Sequence, residues 1–251
     1  MNQERFRFFP SNLHESDLLI GVPHDDFRKK MMDTAFEELV RLRNLLLDFS
    51  EKHPLFGTSL EPFNFPASEK EQVAGNNSSL AKGVPYEILS MIECGIQSGT
   101  GPMSSVAGIF AERIGIQLIQ SYGLREVVVE NGGDLFMNIE SEAVSVIHAG
   151  RSPLSDKMAF VIPPGQWGIC TSSGTMGHSF SQGKADAVTV ISKSTPLADA
   201  WATSLANMVS HQDDIEAVLD KFSRISEISG CAVIVGERIG IRGDFELKLL
   251  S

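Results

Sequence analysis

The sequence predicts an α+β fold in which helices pack on a largely antiparallel sheet. Runs of β-branched residues recur along the chain, for example at residues 126–130, 158–162 and 231–237. Helical stretches fall between such runs without the regular strand-helix alternation of a parallel sheet, so antiparallel pairing is favoured. The 251 residues can bury one sizeable core, and we expect a single domain over residues 1–251.

Helices are predicted where apolar side chains return every three or four positions. The strongest pattern covers residues 26–51, where Asp25 or Asp26 can cap the start and Pro54 prevents continuation. Further helices are expected at residues 86–97, at 102–122, from about 196 onward and at 213–222.

The other apolar runs predict strands. Two are expected within residues 5–22, on either side of a loop at residues 10–15. Residues 143–148, 158–162 and 167–171 succeed one another with turn residues between them, which is the rhythm of a β-meander.

Composition and charge exclude several classes of partner. The net charge is -11, and no run of basic residues is longer than Lys29-Lys30, so neither a nucleic acid nor an anionic membrane is expected as a partner. The cysteines, Cys94, Cys170 and Cys231, form no CxxC pair, which predicts neither a disulfide framework nor a thiolate zinc site. The sequence has no apolar leader and no run of membrane-spanning length, so we expect a cytoplasmic protein.

Two glycine-rich turns are candidate ligand contacts. Asn131-Gly132-Gly133-Asp134 separates two predicted strands, and paired glycines both favour a tight hairpin and allow a ligand to approach bare backbone. Residues 99–105 lead into the start of a helix, where free N–H groups can bind an anion. Each stretch is also compatible with a simple turn.

The densest group of small, hydroxylic and acidic residues lies between Thr171 and Asn207. Asp199 and Thr203 lie four positions apart on a predicted helix, so their oxygens share one face, which suits a hard cation such as Mg²⁺. The alternative for an acidic residue in a first turn is a helix-dipole partner or cap. His178, in a polar loop, is a candidate general base, although a loop histidine is also compatible with simple exposure.

The motifs ENGGD, TSSG, a loop histidine, ADAVTV and ADAWATSLAN follow one another in this order between residues 95 and 210. This order resembles the FAD:protein FMN transferase superfamily, also known as the ApbE-type thiamine-biosynthesis lipoproteins, and looks closest to a short cytoplasmic branch of it. The resemblance implies an ApbE-like fold, FAD and Mg²⁺ as cofactors, and transfer of FMN from FAD to a Thr or Ser of an acceptor protein.

The resemblance also implies roles for individual residues. It assigns a catalytic role, help in deprotonating the acceptor hydroxyl, to His178, and Mg²⁺ ligation to Asp199 and Thr203. It assigns cofactor binding to Asn131, Gly132, Gly133, Asp134, Thr171, Ser172, Ser173 and Gly174.

Two other interpretations stay open. Ser-Phe-Ser-Gln-Gly follows His178 where the family carries an Asp-Pro-bearing segment, which favours an ApbE-like protein that binds another nucleotide-like ligand. The second alternative is a structural or interaction protein in which ENGGD forms only a turn and ADAWAT only a small-residue helix. A homo-oligomer is compatible with each interpretation.

Overall fold

The computed structural model describes residues 4–65, 83–174 and 183–250. The strands are β1 (Phe6–Leu13), β2 (Ser16–Pro23), β3 (Val127–Asn131), β4 (Asp134–Ile139), β5 (Ala143–Val146), β6 (Met158–Ile162), β7 (Gly165–Ser172), β8 (Ala187–Ser192), β9 (Ile228–Val235), β10 (Arg238–Gly243) and β11 (Leu247–Leu249). The helices are α1 (Lys30–Lys52), α2 (Pro54–Thr58), α3 (Tyr86–Ser98), α4 (Val106–Tyr122), α5 (Thr195–Asn207) and α6 (Ile215–Phe222).

These strands form two sheets. The larger one has the order β1-β2-β3-β4-β7-β8-β9-β10, and the smaller one has the order β11-β6-β5. Every neighbouring pair in both sheets is antiparallel. The predicted α+β fold with a largely antiparallel sheet is confirmed.

The centre of the larger sheet is buried on both faces, which explains its continuous apolar runs. In β3, Val127 and Val129 join a core under α1, α3 and α4, whereas Val128 between them joins a core under the smaller sheet. Helices α5 and α6 cover β7, β8 and β9 on the helical face. Successive side chains of a strand point to opposite faces of the sheet. Each central strand must therefore carry apolar side chains on both of its faces.

Several predicted boundaries are wrong. The expected loop at residues 10–15 is mostly strand, because β1 continues to Leu13 and the turn is confined to His14 and Glu15. Pro10 is tolerated there since β1 is the edge of the sheet, where its missing N–H costs no ladder hydrogen bond. Helix α1 begins at Lys30 rather than near Asp26, and neither Asp25 nor Asp26 caps it; a short 3₁₀ turn precedes the helix.

The predicted meander is confirmed for its first two strands and wrong for its third. β5 and β6 leave the larger sheet and pair with each other, and β6 also pairs with β11, while β7 returns to pair with β4. This arrangement covers the second face of the larger sheet, where Leu135 and Met137 would otherwise meet solvent. It also makes β4 and β7 direct neighbours, and the candidate site lies at the end of these two strands.

Candidate functional site

Two helix N-termini meet at the candidate site. Asp199, in the first turns of α5, accepts a hydrogen bond at Oδ2 from the Gly108 N–H of α4 at 2.9 Å. A Cβ on Gly108 would lie 2.7 Å from Thr195 O and 2.9 Å from the Asp199 Cβ. Glycine at position 108 therefore allows the backbones of the two helices to approach closely.

The predicted hairpin turn adjoins this helix crossing. Gly132 and Gly133 adopt positive φ angles of 64° and 105°, as a two-residue hairpin loop requires. The flanking Asn131 and Asp134 are buried, and Asn131 Nδ2 donates to Ala107 O of α4 at 3.2 Å. Gly132 and Gly133 are exposed, and the Gly133 N–H donates to Glu130 Oε1 at 2.8 Å, so the turn presents backbone without side chains beside the start of α4.

Asp134 and Asp199 form a pair of buried acidic groups. Burial raises the pKa of Asp134 to about 7, helped by the charge of Glu130 and opposed by hydrogen bonds from Cys170 and Thr171. Burial, and then the charge of Asp134, raise the pKa of Asp199 well above its usual range. The two carboxylates therefore disfavour each other's ionised form, and a cation between or beside them would stabilise both.

Thr171 and Ser172, at the end of β7, lie on opposite faces of the sheet. Thr171 Oγ1 and Thr189 Oγ1 are 2.9 Å apart, which satisfies the Thr171 hydroxyl within the protein. Ser172, the next residue of β7, points to the other face by strand alternation and is only 5% exposed, yet its Oγ has no hydrogen-bond partner among the described residues. Such a buried hydroxyl is suited to a ligand, because leaving it unpaired costs free energy.

The last predicted residues differ in how they are placed. Ser173 and Gly174 are half-buried where the chain leaves β7, and the Gly174 N–H donates to Ala185 O at 3.0 Å. Thr203 is half-buried one helical turn beyond Asp199 on the same side of α5, as its spacing predicted. His178 lies outside the described residues.

The structure thus brings Asn131, Asp134, Ser172 and Asp199 to the helical face of the sheet, around the start of α4.

The turn at residues 99–105 is a 3₁₀ turn from Pro102 to Ser105 that enters α4, so Pro102 begins this turn rather than the α-helix itself. Two contributors escaped sequence reasoning. Gly108 and Glu112 lie one helical turn apart on α4, and a small residue followed four positions later by a lone acid within an apolar helix is the signal that marks this face.

The donor set favours a hard cation over a zinc-type metal. Across the described ranges, no group of three or more His, Cys, Asp or Glu side chains is disposed to hold a metal ion. A cation bound at Asp199 would therefore draw its remaining ligands from hydroxyl and backbone oxygens, water or a ligand phosphate, which is the coordination typical of Mg²⁺. The buried acidic pair and the neighbouring Thr203 fit that chemistry.

Comparison with solved structures shows which fold the chain shares. The fold is similar to that of the flavinyl transferase ApbE of Pseudomonas stutzeri in its apo form, with a TM-score of 0.52, 15% identity and coverage of 95% of this chain and 94% of the other. The ApbE protein of Thermotoga maritima gives a TM-score of 0.59 at 12% identity, over 94% of this chain and 96% of the other. The chain therefore has an ApbE-like fold, as its motif order predicted.

Sequence relatives define the family within that fold class. The family model described as "AbpE bacteria" matches residues 1–236, and the chain belongs to this family. A UPF0280 protein of Methanococcus maripaludis is 35% identical over 235 residues, which cover 91% of this chain and 87% of the relative. A UPF0280 protein of Methanospirillum hungatei is 37% identical over 216 residues, covering 85% and 80%. No helix in the described part of the chain is long and apolar enough to cross a membrane.

Proposed function

We propose that this chain binds FAD together with Mg²⁺ and transfers FMN to a Thr or Ser hydroxyl of an acceptor protein. The observation that carries the proposal is the buried pair Asp134 and Asp199. Their negative charges repel each other at the place where two helix N-termini meet. A diphosphate with its divalent cation is the ligand that such a place suits, since helix N-termini favour anions and carboxylates favour cations. Fold similarity to a flavinyl transferase supports the choice of ligand.

Each part of the site has a proposed task. Asp199 and Thr203 hold Mg²⁺, which when bound would neutralise the diphosphate and the charge that develops during phosphoryl transfer. The exposed peptide groups of Gly132 and Gly133 approach the cofactor, with Asn131 and Asp134 fixing the turn from either side. Ser172 donates its free hydroxyl to the cofactor, with Ser173, Gly174 and the Thr171 backbone forming the adjoining wall.

The proposed reaction exchanges the phosphoanhydride bond of FAD for a phosphodiester bond to the acceptor. The acceptor oxygen forms a bond to the phosphorus of the FMN half, the bond from that phosphorus to the bridging oxygen breaks, and AMP leaves. His178 takes the proton of the acceptor hydroxyl. We place the reaction in the cytoplasm, where reducing conditions suit the three cysteines, which are all buried and free.

The proposal is tested by titrating the purified protein with FAD, with and without Mg²⁺, and following flavin fluorescence. We expect FAD binding that requires Mg²⁺, followed by a covalent flavin on acceptor proteins. Unchanged flavin fluorescence at micromolar protein would count against the proposal. FAD binding without transfer to any acceptor would favour the alternative suggested by the residues that follow His178, an ApbE-like protein with a different chemistry or ligand.

A structural role for Asp199 is the second candidate, because its carboxylate already accepts the Gly108 N–H. The Asp199→Asn variant separates the two roles, since asparagine keeps an oxygen for that hydrogen bond but removes the charge that a cation needs. We expect it to fold and to lose at least about tenfold in Mg²⁺-dependent FAD affinity. Altered stability with unchanged FAD affinity would support the structural role.

A further inference from the structure

Helices α4 and α5 cap each other through side chains exchanged across their crossing. The residues that precede the two helices, Ser105 and Ser194, make no side-chain capping hydrogen bond. Asp199 of α5 instead accepts the Gly108 N–H of α4 at 2.9 Å, and Glu112 of α4 accepts the Thr195 N–H of α5 at 2.9 Å. Each helix start thus depends on a carboxylate from the other helix.

We propose that Glu112 is a positioning residue for Asp199 and Thr203. This inference rests on the proposed function and extends it to a residue that touches neither cofactor nor cation. Glu112 is 5% exposed and binds the first residue of α5. Since Asp199 lies one helical turn after Thr195, any shift of that first turn moves the Asp199 carboxylate with it.

The first turn of α5 has little freedom in the other directions. A Cβ on Gly108 would meet the Asp199 Cβ at 2.9 Å, and a Cβ on Gly168 of β7 would meet the Thr195 Cα at 2.4 Å. The turn is therefore held between α4 on one side and β7 on the other. Steric contact limits the sideways movement of this turn, and the hydrogen bond to Glu112 fixes the N-terminus of α5.

The cost of losing Glu112 should appear in cation binding. Groups that orient metal ligands without touching the metal typically contribute about 10-fold to 100-fold to metal affinity. Glu112→Ala leaves the Thr195 N–H unpaired in a buried place, whereas Glu112→Gln keeps the chain length and an accepting oxygen. We therefore expect weakened cation binding in Glu112→Ala and substantial rescue in Glu112→Gln.

Glu87 provides a matched control. It is also a buried carboxylate, 6% exposed, but its hydrogen-bond partners are Arg41 and Arg113 rather than the start of α5. Glu87→Ala and Glu87→Gln therefore reproduce the loss of a buried acid without loosening Thr195. A merely structural effect of Glu112 would be matched by Glu87.

The experiment has two readouts. The first is Mn²⁺ affinity in the presence of FAD, measured by electron paramagnetic resonance. The second is backbone hydrogen exchange of residues 195–199 in the ligand-free protein. Glu112→Ala should lose about 10-fold to 100-fold in Mn²⁺ affinity and exchange faster in that turn, while Glu112→Gln and both Glu87 variants stay close to wild type.

Wild-type Mn²⁺ affinity and exchange in folded Glu112→Ala would overturn the inference, as would equal losses in Glu87→Ala. If Glu112→Ala does not fold, Glu112→Asp replaces it. The shorter acid must then lower the Mn²⁺ affinity and speed the exchange of residues 195–199 relative to Glu112→Gln. Failure of the proposed function looks different. Wild-type protein would then bind neither FAD nor Mn²⁺, while the exchange of residues 195–199 would still depend on Glu112.

Discussion

Replacing Asp134 with asparagine should make the protein more stable at neutral and alkaline pH. The pKa of Asp134 rises from its ordinary value of 3.8 to about 7 in the folded protein, chiefly through burial. Because the folded state holds this proton more tightly than the unfolded chain does, the free energy of unfolding falls as the pH rises from about 4 to about 7. At 1.36 kcal/mol per pH unit, the full loss is about 4 kcal/mol.

The Asp134→Asn variant is uncharged at every pH and should escape this loss. Its oxygen can still accept the Thr171 N–H, so the hydrogen bond that holds the position is kept. Urea unfolding in EDTA should give similar stabilities for the two proteins near pH 4 and a variant that is more stable by up to about 4 kcal/mol near pH 8. Parallel stability profiles over this range would refute the reasoning.

Magnesium provides a second test of the same pair. A cation that binds only the folded protein stabilises it by mass action, so Mg²⁺ should raise wild-type stability near pH 8 and raise that of Asp134→Asn less. Equal stabilisation of both proteins would show that the Asp134 charge does not contribute to cation binding.

Three further predictions follow from the packing of the site. Gly108→Ala should destabilise the protein by about 1 to 3 kcal/mol in urea unfolding, because its Cβ would press on the Thr195 carbonyl oxygen and on the Asp199 Cβ. Gly57→Ala is the control, because its Cβ would meet only the flexible Ser50 side chain. Ser172→Ala should leave stability unchanged or raise it by up to about 1 kcal/mol, since it removes an unpaired buried hydroxyl, yet weaken FAD binding in fluorescence titration; weakened folding with normal FAD affinity would contradict this. Thr171→Val should show the opposite pattern, which is lower stability with normal FAD affinity. Weaker FAD binding by Thr171→Val would contradict a ligand on the helical face of the sheet.

Local signals predicted the parts of the site that lie close together in sequence. Asn131 to Asp134 forms the expected hairpin because two consecutive glycines accept the positive φ angles of a two-residue loop. Asp199 and Thr203 share a helix because their spacing and the preceding Pro196 favour one. Both features depend only on backbone preferences within a few residues.

Long-range features were beyond such signals. The contact of Glu112 with Thr195 joins residues 83 positions apart, and no local preference pairs an acid on one helix with the start of another. The sequence also does not show which of Thr171 and Ser172 faces the helices. That requires knowing that β7 has one face under α5 and the other under the smaller sheet. The expected pairing of β6 with β7 failed for a related reason, because no signal within a few residues shows that β7 pairs with β4 instead.

The path of the chain between β4 and β7 bears on how this protein tolerates change. Ile139 and Gly165 are paired across the two strands, so residues 140–164 leave the larger sheet and return to it at adjacent points. An insertion at the exposed tip of this excursion would alter neither the β4–β7 register nor the spacing between Asp134 and Ser172. Deletion of the whole excursion is a different matter, because Phe160 and its neighbours shield Leu135 and Met137. The region should therefore accept added sequence, such as a reporter or an extra binding module, far more readily than it accepts removal.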